Sequence, residues 1–171
     1  MADLAVGDLV LGREGATAVV AVQHRAVDSI AEMLTFHTSD GSSVSMTADH
    51  AVFVNSQLVA AADAAVGSLL TTSKGEATAI KRITKGEGAI INVVTASGTI
   101  VAGGILAASN PMWIASLTVD APLTRAVVNT VLLAVGDVDT VAAGTAKVAA
   151  AAALAAVAAL ALKKRSSTSL P

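Results

Sequence analysis

One phrase of this sequence is written twice, and that repetition limits what the chain can fold into. Ala5-Val6-Gly7-Asp8-Leu9-Val10 returns as Ala65-Val66-Gly67-Ser68-Leu69-Leu70. Ala16-Thr17-Ala18-Val19 returns as Ala77-Thr78-Ala79-Ile80, at nearly the same distance from its glycine. Each copy reads as a glycine turn running into an apolar strand. A single echo is a common turn-to-strand phrase. Two echoes in the same order indicate a duplicated strand–turn–strand unit, and so an all-β module with a pseudo-twofold axis.

Between the copies lies the stretch Leu34 to Val54. Leu34 to His37 alternates apolar and polar side chains, Asp40-Gly41 supplies a tight turn, and Val44 and Met46 alternate with serines on the way back. Thr47-Ala48-Asp49-His50 then turns sharply into the apolar run Ala51-Val52-Phe53-Val54. The Thr47 hydroxyl can cap that turn, and His50 follows three residues later, so both side chains can face one point.

The other elements read around it. Leu9 to Leu11 and Ala18 to Val22 are strands, the second ending at Gln23-His24-Arg25, and Ala26 to Ala31 is a loop or one short turn. Asn55-Ser56 is a turn, and Leu58 to Ala65 reads as a short helical turn. Ala89 to Thr95, Gly98 to Val101 and Gly104 to Ala107 are further strands, with Gly98 and Gly103-Gly104 at turns.

Composition says what must fill such a module and what it does not do. The chain of 171 residues has a one-domain length, with 54% hydrophobic residues but only 2% aromatics. Its core must be made of Val, Ile, Leu and Ala. A net charge of -2 argues against nucleic acid, which wants a basic face. There is no Cys, which removes a disulfide framework and any thiolate metal site. Asp and Glu are scattered without metal-ligand or glycosidase spacing, and no Gly-rich phosphate loop precedes a helix, so no cofactor is expected. His37 reads as structural, and Ser42, Ser43 and Ser45 as exposed hairpin residues. Met1 to Leu4 has neither the basic nor the apolar region of a signal peptide.

The texture changes after Asn110-Pro111, dividing the chain into a β module at 1–110, a tail at 111–165 and a polar terminus at 166–171. From Val141 the tail is Ala-rich, Val148 to Leu162 carries no polar side chain, and Lys163-Lys164-Arg165 closes it. Residues 141–162 are expected to be one helix. At ~1.5 Å per residue the uncharged run is short for a ~30 Å hydrocarbon core, unless Lys147 snorkels. Membrane or lipid contact and packing on the β module both remain open readings. The basic stop favours the first, with a membrane-associated or secretory-pathway location.

Three blocks of the sequence resemble the Hint (hedgehog/intein) autoprocessing domain, in its hedgehog-like form. Ala2 to Leu11 is similar to the family's Leu-x-x-Gly-Asp-x-Val-Leu. Thr47-Ala48-Asp49-His50, backed by Val52 to Val54, matches its Thr-x-x-His. Asn92 to Thr95, running on through Ser97 to Val101 and Gly104 to Ser109, resembles the block that closes the hedgehog module. The resemblance implies self-cleavage of a precursor. A Cys at the domain's first residue turns the preceding peptide bond into a thioester, and the partner is the chain's own upstream segment. It further implies that His50 protonates the leaving amine and that Thr47 polarises the scissile amide.

The sequence also departs from the family. The Cys is expected roughly fifteen residues before Leu4, and the sequence given starts at Met1 without one. The chain as given is therefore expected to be inactive. Where hedgehog proteins carry an Asp that activates a sterol hydroxyl, this sequence carries His24, a possible base. Asn110 stands between Ser109 and Pro111, unlike the His-Asn ending of inteins, so splicing is not expected. The reading from another class is a non-catalytic, membrane-anchored β domain that uses the scaffold for binding.

Overall fold

The computed structural model describes residues 3–24 and 30–135, and the Ala-rich segment 141–162 lies outside the described residues. Strands β1 (Leu9–Gly12), β2 (Gly15–His24), β3 (Ile30–Thr38), β4 (Ser43–Met46), β5 (His50–Val54) and β6 (Gln57–Ala60) make the first half. Strands β7 (Leu69–Thr71), β8 (Ala77–Ala89), β9 (Asn92–Thr95), β10 (Thr99–Ala102) and β11 (Ile105–Pro111) make the second. Helices α1 (Met112–Thr118) and α2 (Pro122–Val135) follow. Among the described residues, β1, β2 and β9 form one sheet. The other runs β10-β11-β5-β7-β8-β3-β4, with β6 against β5.

The duplication is visible bond by bond. Gly7 N–H donates to the Val19 carbonyl and Val19 N–H to that of Asp8, at 2.9 and 2.8 Å. Gly67 and Ile80 N–H groups donate to Ile80 and Ser68 carbonyls at 2.8 and 2.9 Å. The side chains repeat the scheme: Ala5 N–H donates to Asp8 Oδ2 and Ala65 N–H to Ser68 Oγ. Both glycines hold φ near +95°, at 98° and 91°, where an L side chain is strained. A second matched pair lies at the hairpin turns. Thr38 Oγ1 donates to the Ser42 carbonyl and Thr95 Oγ1 to the Thr99 carbonyl, four residues on in each case. The pseudo-twofold β module expected from the two echoes is therefore present.

The halves are interlocked rather than side by side. β2 of the first half pairs with β9 of the second, and β8 of the second pairs along its length with β3 of the first. Strand alternation then fills the interior. Leu34, Phe36, Val44, Met46, Val52, Leu70, Ile80 and Ile105 form one cluster, and Phe36, Val52, Leu70 and Ile105 are fully buried. Ile, Val and Leu dominate because the sequence has almost no aromatics to offer. Helix α1 covers the opposite face of β5 and β11, with Ala115 and the following Val119 packed on Ala51, Phe53, Leu106 and Ala108, whereas Val128 of α2 packs with Ala21 of β2 and Val94 of β9. Pro122, which has no N–H to lose, opens α2.

Several local expectations change. The helical turn is confined to Ala61–Asp63, because Leu58 to Ala60 pair with Phe53, Val52 and Ala51. Ile30 and Ala31 belong to β3, held by Ala89 and Gly88, whereas 25–29 lie outside the described residues. The strand expected over Ala89 to Thr95 is split: β8 ends at Ala89 and β9 begins at Asn92. No helix among the described residues is long and apolar enough to cross a membrane.

Equivalent turns should have equivalent energetics. Gly7→Ala and Gly67→Ala each place a Cβ in open space, leaving backbone strain as the cost. Each is expected to lose about 1–2 kcal/mol in urea unfolding. A loss confined to one of the two would contradict the equivalence.

Candidate functional site

The site begins where β4 hands over to β5. The chain reverses over Thr47 to His50, closed by the His50 N–H donating to the Thr47 carbonyl at 3.1 Å. The Thr47 hydroxyl does not cap this turn, as its sequence suggested. It donates instead to Asp49 Oδ1 at 2.7 Å, which leaves its lone pairs available to an incoming N–H. His50 is the first residue of β5 and stands opposite Pro111 of β11 in the antiparallel register. Its Nε2 lies 2.9 Å from the Ala108 carbonyl oxygen. A carbonyl can only accept, so Nε2 carries the hydrogen and Nδ1 of the neutral ring presents a lone pair.

Burial holds the His50 pKa below the ordinary imidazole value of 6.5, opposed by the Ala108 carbonyl and the Asp49 charge. His50 is accordingly neutral at neutral pH. Asp49 thus acts on both of its neighbours, a role its place inside Thr-x-x-His did not disclose.

Thr47 and His50 open into one groove of about 330 Å³, with Met46, Ile91, Asn92, Ile100 and Ala107 in its walls. The two side chains do face one space, as their spacing indicated. His24 ends β2 with its backbone opposite Asn92, a residue of the groove wall. A second cleft of about 250 Å³ lies along Arg13, Thr72 and Ser73 and contains neither Thr47 nor His50. His37 is a sheet residue, with Nε2 3.2 Å from Thr84 Oγ1.

Two residues of β11 gain interest from burial alone. Ser109 is fully buried, its Oγ 3.2 Å from Thr95 N. Asn110 is 1% exposed, and its Oδ1 has no hydrogen-bond partner. The sequence marked Asn110 as the end of the β module and as a departure from the intein ending, but not as a buried residue. Among the described residues no three His, Cys, Asp or Glu side chains gather as metal ligands.

No family model and no curated protein matches the sequence. Solved structures do match. A variant of the gp41-1 intein superposes with a TM-score of 0.58 at 20% identity, covering 63% of this chain and 85% of the intein. The MchDnaB-1 intein gives 0.53 at 19% identity, over 63% and 87% of the two chains. The VidaL intein gives 0.51 at 12% identity, over 58% and 68%. The β module therefore has the Hint-type fold of the inteins. At these identities the likeness is one of fold.

The buried imidazole also has a signature in stability. Its folded pKa lies below the unfolded value, so the unfolded chain binds the extra proton. Stability from this group is complete above pH 6.5 and falls as pH drops below that value, until the folded pKa is reached. Urea midpoints should decline between pH ~6.5 and ~5, before the carboxylates titrate, and His50→Gln should flatten that decline. An unchanged slope in the variant would remove His50 as its source.

Proposed function

We infer that this chain is the acid–base part of an autoprocessing domain that splits its own precursor through a thioester. The observation that carries the reading is the neutral His50, fixed by the Ala108 carbonyl beside Thr47 at one end of a groove in a Hint-type fold. The nucleophile would be a Cys thiol on a segment upstream of Met1, since the sequence given contains none.

The arrangement suits both halves of the step. Nδ1 of His50 takes the thiol proton as the sulfur attacks the carbonyl carbon of the preceding peptide bond. The same proton then goes to the amide nitrogen as the C–N bond breaks, leaving a thioester and a free amine. A histidine with a lowered pKa is a stronger acid once protonated, which favours the second transfer. Thr47 accepts the scissile N–H through its oxygen while Asp49 holds its hydrogen. The hedgehog-like outcome, attack by an external nucleophile, is favoured because Pro111 follows Asn110 and offers no nucleophilic side chain. His24, whose backbone stands opposite Asn92 of the groove wall, would act as base toward an acceptor hydroxyl.

The test restores the upstream block with its leading Cys and a fused N-terminal reporter. Dithiothreitol should release the reporter. His50→Ala should slow release ~10²–10⁴-fold, the usual contribution of a positioned acid or base. Thr47→Ala should cost several-fold, as expected for one hydrogen bond of about 1 kcal/mol. His24→Ala should leave release by thiol intact and slow only transfer to a hydroxyl acceptor. Equal cleavage with His50→Ala would sink the catalytic assignment. A restored precursor that never cleaves would favour a binding scaffold, the reading supported by the cysteine-free sequence.

A further inference from the structure

We propose that the second cleft, along Arg13, Thr72 and Ser73, is a binding site for a phosphate group, carried either by free phosphate or by a phosphate monoester. The site is independent of the thioester reading. The cleft, of about 250 Å³, lies where equivalent turns of the two repeated units meet. The turn from β1 to β2 contributes Gly12 and Arg13, and its counterpart from β7 to β8 contributes Thr72, Ser73 and Gly75. Ser56, in the turn from β5 to β6, and Thr71 complete the polar part of the wall. Among the described residues, no carboxylate lines it.

The wall holds more hydrogen-bond donors than the protein uses. Thr72 is 8% exposed, and its Oγ1 accepts the N–H groups of Lys74 and Glu76 at 3.3 and 3.2 Å. Both lone pairs are then engaged, which leaves the hydroxyl hydrogen to be donated, and no described residue accepts it. A donor so deeply buried calls for an acceptor. The hydroxyls of Ser56, Thr71 and Ser73 likewise have no partner among the described residues. Arg13 adds a fork of N–H donors and a positive charge. Its guanidinium carbon lies 4.4 Å from the centroid of the Phe53 ring, so the side chain is seated before a ligand arrives. Among the described residues its ion pair is with Asp120, Nη1 to Oδ1 at 3.9 Å, and the Asp120 side chain is 89% exposed. Water weakens such a pair, and an anion in the cleft can displace it.

Donors without acceptors select an anion, and their origin selects its shape. They belong to the turns between β1 and β2, between β5 and β6, and between β7 and β8. A flat carboxylate offers its oxygens in one plane. A phosphate group presents oxygens in every direction, and an arginine fork grips it through paired bonds. Glu14 and Glu76 flank the two equivalent turns without lining the cleft, and Lys74, between Ser73 and Gly75, is a second cation close by. The donors are mostly side chains, so this site needs no glycine-rich loop before a helix.

The probe is inorganic phosphate, titrated into the full chain at constant ionic strength while the amide NMR signals of Arg13, Ser56 and residues 71–75 are followed. These signals should shift together and saturate. Phosphate also stabilises folded proteins by exclusion from their surface, but that effect does not saturate and does not depend on one arginine. Arg13→Gln should weaken binding about tenfold or more. Asp120→Asn, at an exposed position, should tighten it several-fold by freeing the guanidinium. Thr72→Val would also remove the acceptor that holds its own turn, so the hydroxyls are tested by Ser56→Ala combined with Ser73→Ala, which breaks no bond within the protein and should cost several-fold. Methyl phosphate that binds as well as phosphate identifies a monoester as the ligand, and loss of its binding identifies the free ion; the site stands in both cases. Shifts that rise linearly without saturating overturn the proposal. So does unchanged affinity in Arg13→Gln, in Asp120→Asn or in the double serine variant.

Discussion

The pairing of β3 with β8 is the constraint on which the rest of the structure depends. The two strands come from different copies of the repeated unit, yet they run together from Ile30 opposite Ala89 to Thr38 opposite Ile80. That register carries Leu34 and Phe36 into the core and sets β4, the hairpin partner of β3, beside the second half. A slip of one residue would turn those side chains outward and move Thr47 and His50 with them. The Thr47–His50 turn therefore depends on a ladder in which it takes no part.

The duplication gives two of everything except the chemistry. Turns, caps and edge strands recur in both halves, but the second half has no histidine. Near the end of β11 the chain carries Ser109 and Asn110 instead, both buried. The two halves thus supply different parts of one site. The first gives the Thr47–His50 turn, and the second gives the Ala108 carbonyl that holds the imidazole. A symmetrical scaffold brings them together because β5 and β11 are adjacent strands.

Much of this was legible in the sequence because it is local. Gly7, Gly67, Gly98 and Gly103 announce turns through conformations that other residues avoid, and Asn55-Ser56 was a turn on the same grounds. The hairpin at Asp40-Gly41 and the shared direction of Thr47 and His50 also follow from short spacings. What failed was long-range. Lys81 to Gly88, to which the sequence reading assigns no element, is held in a strand by β3 through non-local hydrogen bonds. Leu58 to Ala60 has helical composition and is held flat by β5 in the same way. The Ala108 contact and the burial of Asn110 have no sequence signal, because each depends on where β11 lands.

The exchange of strands between halves has a further consequence in time. β2 waits for β9, and β3 waits for β8, so the hydrogen bonds of the first half are incomplete until about fifty or more further residues exist. Such a chain has high contact order, and its folding should be slow and late, with little independent stability in either half. During synthesis β2 and β3 would emerge as apolar strands with one edge open, the state most exposed to aggregation. The same interlock works in the opposite sense once it has formed. Neither half can peel away without breaking four ladders, β2 with β9, β3 with β8, and β5 with both β7 and β11, so the finished fold should unfold as one cooperative unit.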